Sequence, residues 1–105
     1  MFELTSTPLL ATSSRQINVV GDMDLFAASA LRRALEQAST IGVDLIHLDL
    51  SSVTWINGSA LRHVANTRRR MAEQLDVDLD LVEWSDAVVR MSTRARLDGV
   101  LGRVA

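Results

Sequence analysis

Three stretches of the chain alternate apolar and polar residues, and three others repeat at helical spacing. From Gln16 to Val20, Ile17 and Val19 fall on one face and Gln16 and Asn18 on the other. From Asp44 to Leu50, Ile46, Leu48 and Leu50 oppose Leu45, His47 and Asp49. From Asp76 to Val82, Val77, Leu79 and Leu81 oppose Asp76, Asp78 and Asp80. Period-two alternation of this kind predicts strands buried on one side. Between them, Ala27, Leu31, Ala34, Leu35 and Ala38 trace one apolar stripe over Leu25–Ser39, with Arg32, Arg33, Glu36 and Gln37 on the solvated side. Leu61, Val64, Ala65, Met71, Ala72 and Leu75 do the same over Gly58–Leu75. Arg68 falls inside that second stripe, so its guanidinium is expected to reach out at an edge. A third helix is predicted from Ser85 to about Arg94, with Ala87, Val88 and Met91 inward, followed by a short apolar tail of Leu97, Val100 and Leu101.

The boundaries carry their own signals. Gly21 is expected to end the first alternating strand, and Asp24 to cap the helix that follows. Gly42 sits where a helix C-terminal glycine would. Asn57-Gly58 could turn a hairpin, but the helical stripe starting at Leu61 makes Asn57 a helix N-cap instead. Its side-chain oxygen should accept from the N–H of Ser59 or Ala60, an interaction of about 1 kcal/mol. Phe2 to Ser14 is Thr/Ser-rich and holds the one proline, Pro8, which suits edge strands. The element order is β-β-α-β-α-β-α. Strands alternating with helices imply an α/β fold with a mixed, mostly parallel sheet. Because three strands alternate, one sheet face should be solvated and the helices should lie mainly on the other.

Composition narrows the functional classes. The 105 residues suffice for one domain, expected to span 1–105. A net charge of −2 argues against a nucleic-acid partner, which calls for a basic face. The chain has no cysteine, hence no thiol nucleophile and no Cys-based metal site. His47 and His63 lack metal-ligand spacing, and Asp76-Asp78-Asp80 lacks the glycine and distal glutamate of a calcium loop. No metal and no cofactor are expected. Arg68-Arg69-Arg70 reads as a solvated helix face. No signal peptide or membrane-length apolar run is present, so a cytoplasmic protein without membrane contact is the simplest expectation. Trp55 is expected in the core and Trp84 in a partly buried loop. Paired carboxylates, a Ser-His-Asp set and a glycine-rich phosphate loop are all missing, which points to a binding module and not an enzyme.

The densest chemistry lies in Asp49–Leu61, DLSSVTWINGSAL. A strand is expected to run into a loop of Ser51, Ser52 and Thr54, with Ile56-Asn57-Gly58-Ser59 opening a helix. Ser59 then stands in the first turn, where unpaired N–H groups and the dipole favour an anion. It can be read as a phosphoacceptor or as an ordinary first-turn serine.

This stretch resembles the STAS domain family of bacterial anti-sigma-factor antagonists, which typically reads D-L-S-x-V-x-F-I-D-S-[ST]-G-L here. Asp49-Leu50-Ser51, Val53, Ile56, Ser59 and Leu61 match, and Trp55 stands for the usual aromatic. Asn57 replaces the family's Asp, Gly58 its first Ser and Ala60 its Gly. Gly21-Asp22-Met23-Asp24 is similar to the family's second motif, G-x-[LM]-D. The resemblance implies a right-handed βα superhelix and a partner, an anti-sigma factor of serine-kinase ATPase type. It implies that Ser59 accepts phosphate and that Asp24, Asn57, Gly58 and Ser59 bind the partner, with Asp22 a weaker candidate. The altered motif leaves room for a STAS binding or scaffold subunit that no longer cycles through phosphate. A STAS component of a lipid-transport system is a third reading. Family members usually carry a further helix after the segment matching Leu97–Leu101. Its lack here is expected to open apolar surface at Val100 and Leu101 and to favour a weak homodimer.

Overall fold

The computed structural model describes residues 2–9 and 13–101. Strand β1 (Phe2–Pro8) runs antiparallel to β2 (Ser14–Met23), and Pro8 ends the edge strand. Helix α1 (Leu25–Thr40) leads to β3 (Leu45–Ile56), and α2 (Gly58–Arg70) continues into a π-helical turn (Met71–Leu75). Strand β4 (Asp78–Trp84) and α3 (Asp86–Arg94) complete the order. The four strands lie in chain order, β1-β2-β3-β4, with β2, β3 and β4 parallel. This is the expected α/β fold with a mixed, mostly parallel sheet.

The alternation in the sequence becomes the two faces of the sheet. Ile17, Val19, Met23, Ile46, Leu48, Leu50, Leu79 and Leu81 are buried in one core with Leu31 and Leu35 of α1, Leu61 and Val64 of α2, and Val88 of α3. Each such aliphatic side chain contributes about 1.5–3 kcal/mol on burial. The opposite face is polar. There Gln16 Nε2 donates to Asn18 Oδ1 at 3.0 Å, and His47 Nδ1 lies 3.7 Å from Asp80 Oδ2. Asp78 and Asp80 are exposed on this face, and Asp76 sits in the left-handed region at φ 55° where the π turn ends.

Several expectations need correcting. Gly21 does not end β2. It lies inside the strand with φ 100°, and β2 continues to Met23. Ser51, Ser52 and Thr54 do not form a loop but belong to β3. The alternation stops at Leu50 because β3 bulges twice against β2: Asn18 pairs with Asp49 but Val20 with Ser52, and Gly21 pairs with Val53 but Asp22 with Trp55. Each bulge inserts one residue and flips the phase, so Leu50, Val53 and Ile56 are buried at a spacing of three. Trp55 is therefore turned outward and is 50 % exposed, not in the core.

On α2 the π turn winds more residues into one turn and rotates the stripe. Met71 stays buried while Ala72 and Leu75 are exposed. At the C-terminal tail, a turn closed by Leu101 N–H to Leu97 O at 3.0 Å accompanies burial of Leu101 in the core, so only Val100 of the pair is open.

Other expectations hold. Arg68 reaches an edge, where its Nε donates to Leu79 O at 2.9 Å and Nη1 to Val100 O at 2.8 Å. It thereby covers part of the exposed side of β4. Gly42 follows α1 with φ 88°. Trp84 is partly buried as expected, its Nε1 donating to Leu81 O, but it is the last residue of β4, paired opposite Leu50, and not part of a loop.

Candidate functional site

Because β2, β3 and β4 are parallel, all three helices start at the same end of the sheet, the end where open βα sheets place their sites. Each start carries a side-chain cap. Asp24 Oδ1 accepts from Ala27 N at 2.9 Å, Asn57 Oδ1 from Ala60 N at 2.8 Å, and Ser85 Oγ from Val88 N at 3.3 Å. The first two starts are joined directly: Asn57 N donates to Met23 O at 3.4 Å. Thr54 Oγ1 donates to Asp22 Oδ1 at 3.0 Å and ties the same strand ends. Asp24 and the Asn57-Gly58-Ser59 run, distant in sequence, are thus brought to one corner, with Asp22 beside them.

Within that corner Gly58 is the first residue of α2 and Ser59 the second, and Ser59 is exposed. Asn57 satisfies the N–H groups of Ala60 and, through its carbonyl, Leu61. The N–H groups of Gly58 and Ser59 have no acceptor among the described residues, as the first turn of a helix dictates. The nearby hydroxyls differ. Ser51 Oγ donates to Asp49 Oδ1 at 2.6 Å and Thr54 Oγ1 to Asp22, whereas Ser59 Oγ makes no hydrogen bond among the described residues. Gly58 is not demanded by sterics: a Cβ there would meet Met91 Sδ at 3.7 Å, an ordinary contact. Ala60, in the place of the family's Gly, is fully buried.

Sequence reasoning missed the apolar half of this corner. Phe26 is 86 % exposed, and Leu25 and Trp55 are each half exposed. All three stand within two residues of the Asp24 or Asn57 cap. The signal for Phe26 was present, since it shares a helical face with Ala30, Arg33 and Gln37, off the buried stripe. Trp55 had no such signal, because its orientation follows from the second bulge. Among the described residues no group of three or more His, Asp or Glu gathers to hold a metal ion. No helix among them is long and apolar enough to cross a membrane. Away from the corner, His63 on α2 is held below its ordinary pKa of 6.5, first by burial and then by the charges of Arg32 and Arg70.

Comparison with known proteins adds the family. No curated protein matches the chain. An anti-sigma factor antagonist from Mycobacterium paratuberculosis superposes with a TM-score of 0.76 at 19% identity, covering 94% of this chain and 81% of that one. The anti-sigma factor antagonist SpoIIAA in its unphosphorylated form superposes with a TM-score of 0.68 at 19% identity over 100% of both chains. A structure of Mglu is similar over 64% of this chain and 16% of its own length, with a TM-score of 0.56 at 24% identity. At these identities the likeness is one of fold. The family model of the STAS domain matches residues 10–104, nearly the whole sequence, so the chain belongs to the STAS domain family.

Proposed function

We propose that this chain acts as a single STAS domain that antagonises an anti-sigma factor, in the bacterial cytoplasm and without catalysis of its own. The observation that carries the reading is the corner itself: an exposed Ser59 hydroxyl at a helix start, without a hydrogen bond among the described residues, joined through Asn57 N and Met23 O to the Asp24 start, with exposed Leu25, Phe26 and Trp55 within two residues of the two caps. Exposed aromatics next to a few polar groups are what a protein partner buries. The partner is an anti-sigma factor of serine-kinase ATPase type, which supplies the ATP and metal. In its unmodified form the corner binds that partner. Transfer of a phosphoryl group to Ser59 Oγ places roughly −1.5 to −2 charges in the middle of the contact, which repels and desolvates unfavourably. The domain tolerates that charge because the N–H groups of Gly58 and Ser59 and the helix dipole face it. Binding is switched with little refolding.

Incubation with a purified serine-kinase-type anti-sigma factor and ATP, followed by phosphopeptide mapping, tests this. Phosphate is expected on Ser59. Phosphate on Ser51, Ser52 or Thr54 with none on Ser59 overturns the reading. In calorimetric titrations Ser59→Asp and Asp24→Ala each weaken binding, while Asp78→Ala on the solvated sheet face leaves it nearly unchanged. A second reading, a subunit that binds without a phosphate cycle, draws on Asn57 and Gly58. A Cβ at Gly58 would make only an ordinary contact with Met91 Sδ at 3.7 Å, so the glycine is not imposed by close packing on that atom. Such a subunit would bind the partner and take up no phosphate.

A further inference from the structure

Strand β3 extends to Ile56, but its pairing with β4 stops at Leu50, opposite Trp84. The chain then leaves the sheet at Ser85, whose N–H bonds to Leu50 O at 3.2 Å. Ser51–Ile56 therefore has β2 on one side and, among the described residues, no strand on the other. Helix α3 runs past this open side and leaves a groove. Its narrow end, about 170 Å³, is lined by Thr54, Trp55, Ile56, Arg90, Met91 and Arg94. Thr54, Ala87 and Arg90 also line a wider stretch that reaches Ser51 and Trp84.

The groove has a charge direction. Arg90 and Arg94 stand one turn apart on α3, both exposed, and neither makes an ion pair or hydrogen bond among the described residues. Asp86 lines the far end. The groove is also continuous with the corner described above, since Met91 lies against the start of α2 at Gly58. We infer that an extended acidic segment of the same protein partner lies in this groove, its carboxylates at the Arg90–Arg94 end and its apolar side chains on Trp55. This rests on the reading of the corner as a partner-binding face. An unpaired strand flank offers main-chain groups to an extended peptide. A half-exposed tryptophan is a common anchor. Two arginines without a partner among the described residues fit carboxylates, and as rim charges they set association rate and salt dependence.

The test titrates a purified serine-kinase-type anti-sigma factor into wild type, Asp24→Ala, Trp55→Ala, an Arg90→Glu/Arg94→Glu double variant and Arg69→Glu. Arg69 is exposed near the other end of α2 and serves as the charge control. The double variant is expected to weaken binding about tenfold or more at low salt and by less at high salt. Trp55→Ala should weaken it at both, and Arg69→Glu should change it less than about twofold. Hydrogen exchange at the amides of Ser51–Ile56 should slow in the complex. Thermal melts verify that the variants, all at exposed positions, remain folded. If Asp24→Ala weakens binding but the double variant and the exchange rates of Ser51–Ile56 match the unaltered or free protein, the groove is empty and this inference is overturned while the corner stands. If the anti-sigma factor does not bind the wild-type chain, both fall together.

Discussion

Helices α1 and α2 begin alike and differ in what they show to solvent. Both caps have extended backbone, and both accept from the N–H three residues on, at 2.9 Å for Asp24 and 2.8 Å for Asn57. Both starts follow the end of a parallel strand, and a hydrogen bond from Asn57 N to Met23 O holds them together. The second helical residue is Phe26 in α1 and Ser59 in α2. In one helix that exposed position carries a large apolar ring, in the other a small nucleophilic hydroxyl. The caps are charged in α1 and neutral in α2. The same backbone device therefore serves two ends: α1 offers contact area with a fixed carboxylate, and α2 offers a modifiable group in a field that accommodates an anion.

Truncation at the α1 position should give the largest effect on binding. Phe26→Ala is expected to cost about 2 kcal/mol or more of affinity for the anti-sigma factor, as removal of a central aromatic anchor does. It should leave the melting temperature unchanged, because the ring is 86 % exposed. Calorimetry beside a thermal melt reads both, and unaltered affinity would remove α1 from the contact. The equivalence of the two caps is broken next. Asp24→Ala and Asn57→Ala should each lower stability by about 1 kcal/mol in urea denaturation. A loss at one cap and none at the other would show that the similar hydrogen bonds are not similar in energy.

A smaller effect is expected from the junction between the two helices, where His63 of α2 feels Arg32 of α1. With its folded pKa below 6.5, the unfolded chain binds the proton more readily. Stability from this group is present above the unfolded pKa and is lost as pH falls through the folded one. Melting temperatures taken downward from neutral pH should fall less for His63→Asn than for wild type, and parallel curves would contradict the assignment. The smallest effect on the fold belongs to Asn57→Asp. Asp and Asn cap nearly equally, so stability should move by less than about 0.5 kcal/mol. The rate of Ser59 phosphorylation should rise as the family's carboxylate returns. A slower reaction would mean that the neutral cap is the better neighbour for this hydroxyl.

Much of this was legible from residue order, and the failures have one cause. Asp24, Asn57 and Ser85 identify their helix starts because a cap is a local interaction over three residues. Ile46, Leu48 and Leu50 identify a buried face because a regular strand has period two. The second half of the same strand was illegible. Its two bulges are defined by pairing with β2, a partner about 30 residues away in sequence. Trp55 and the open flank of Ser51–Ile56 follow from those bulges and from where β4 stops. The π turn at Met71–Leu75 is likewise a departure from helical period, and it moved Ala72 and Leu75 from the expected core to the surface.

The sequence by itself determined the element order, the caps, the buried stripes and the family motifs, because each is encoded within one turn or a few alternating residues. Tertiary structure alone decided that the Asp24 and Asn57 corners meet, that Trp55 faces outward, and that α3 walls a groove with Arg90 and Arg94 unpartnered among the described residues. Those facts depend on strand register and on which chain segments end beside one another, and neither quantity is written in any local pattern of hydrophobic and polar residues.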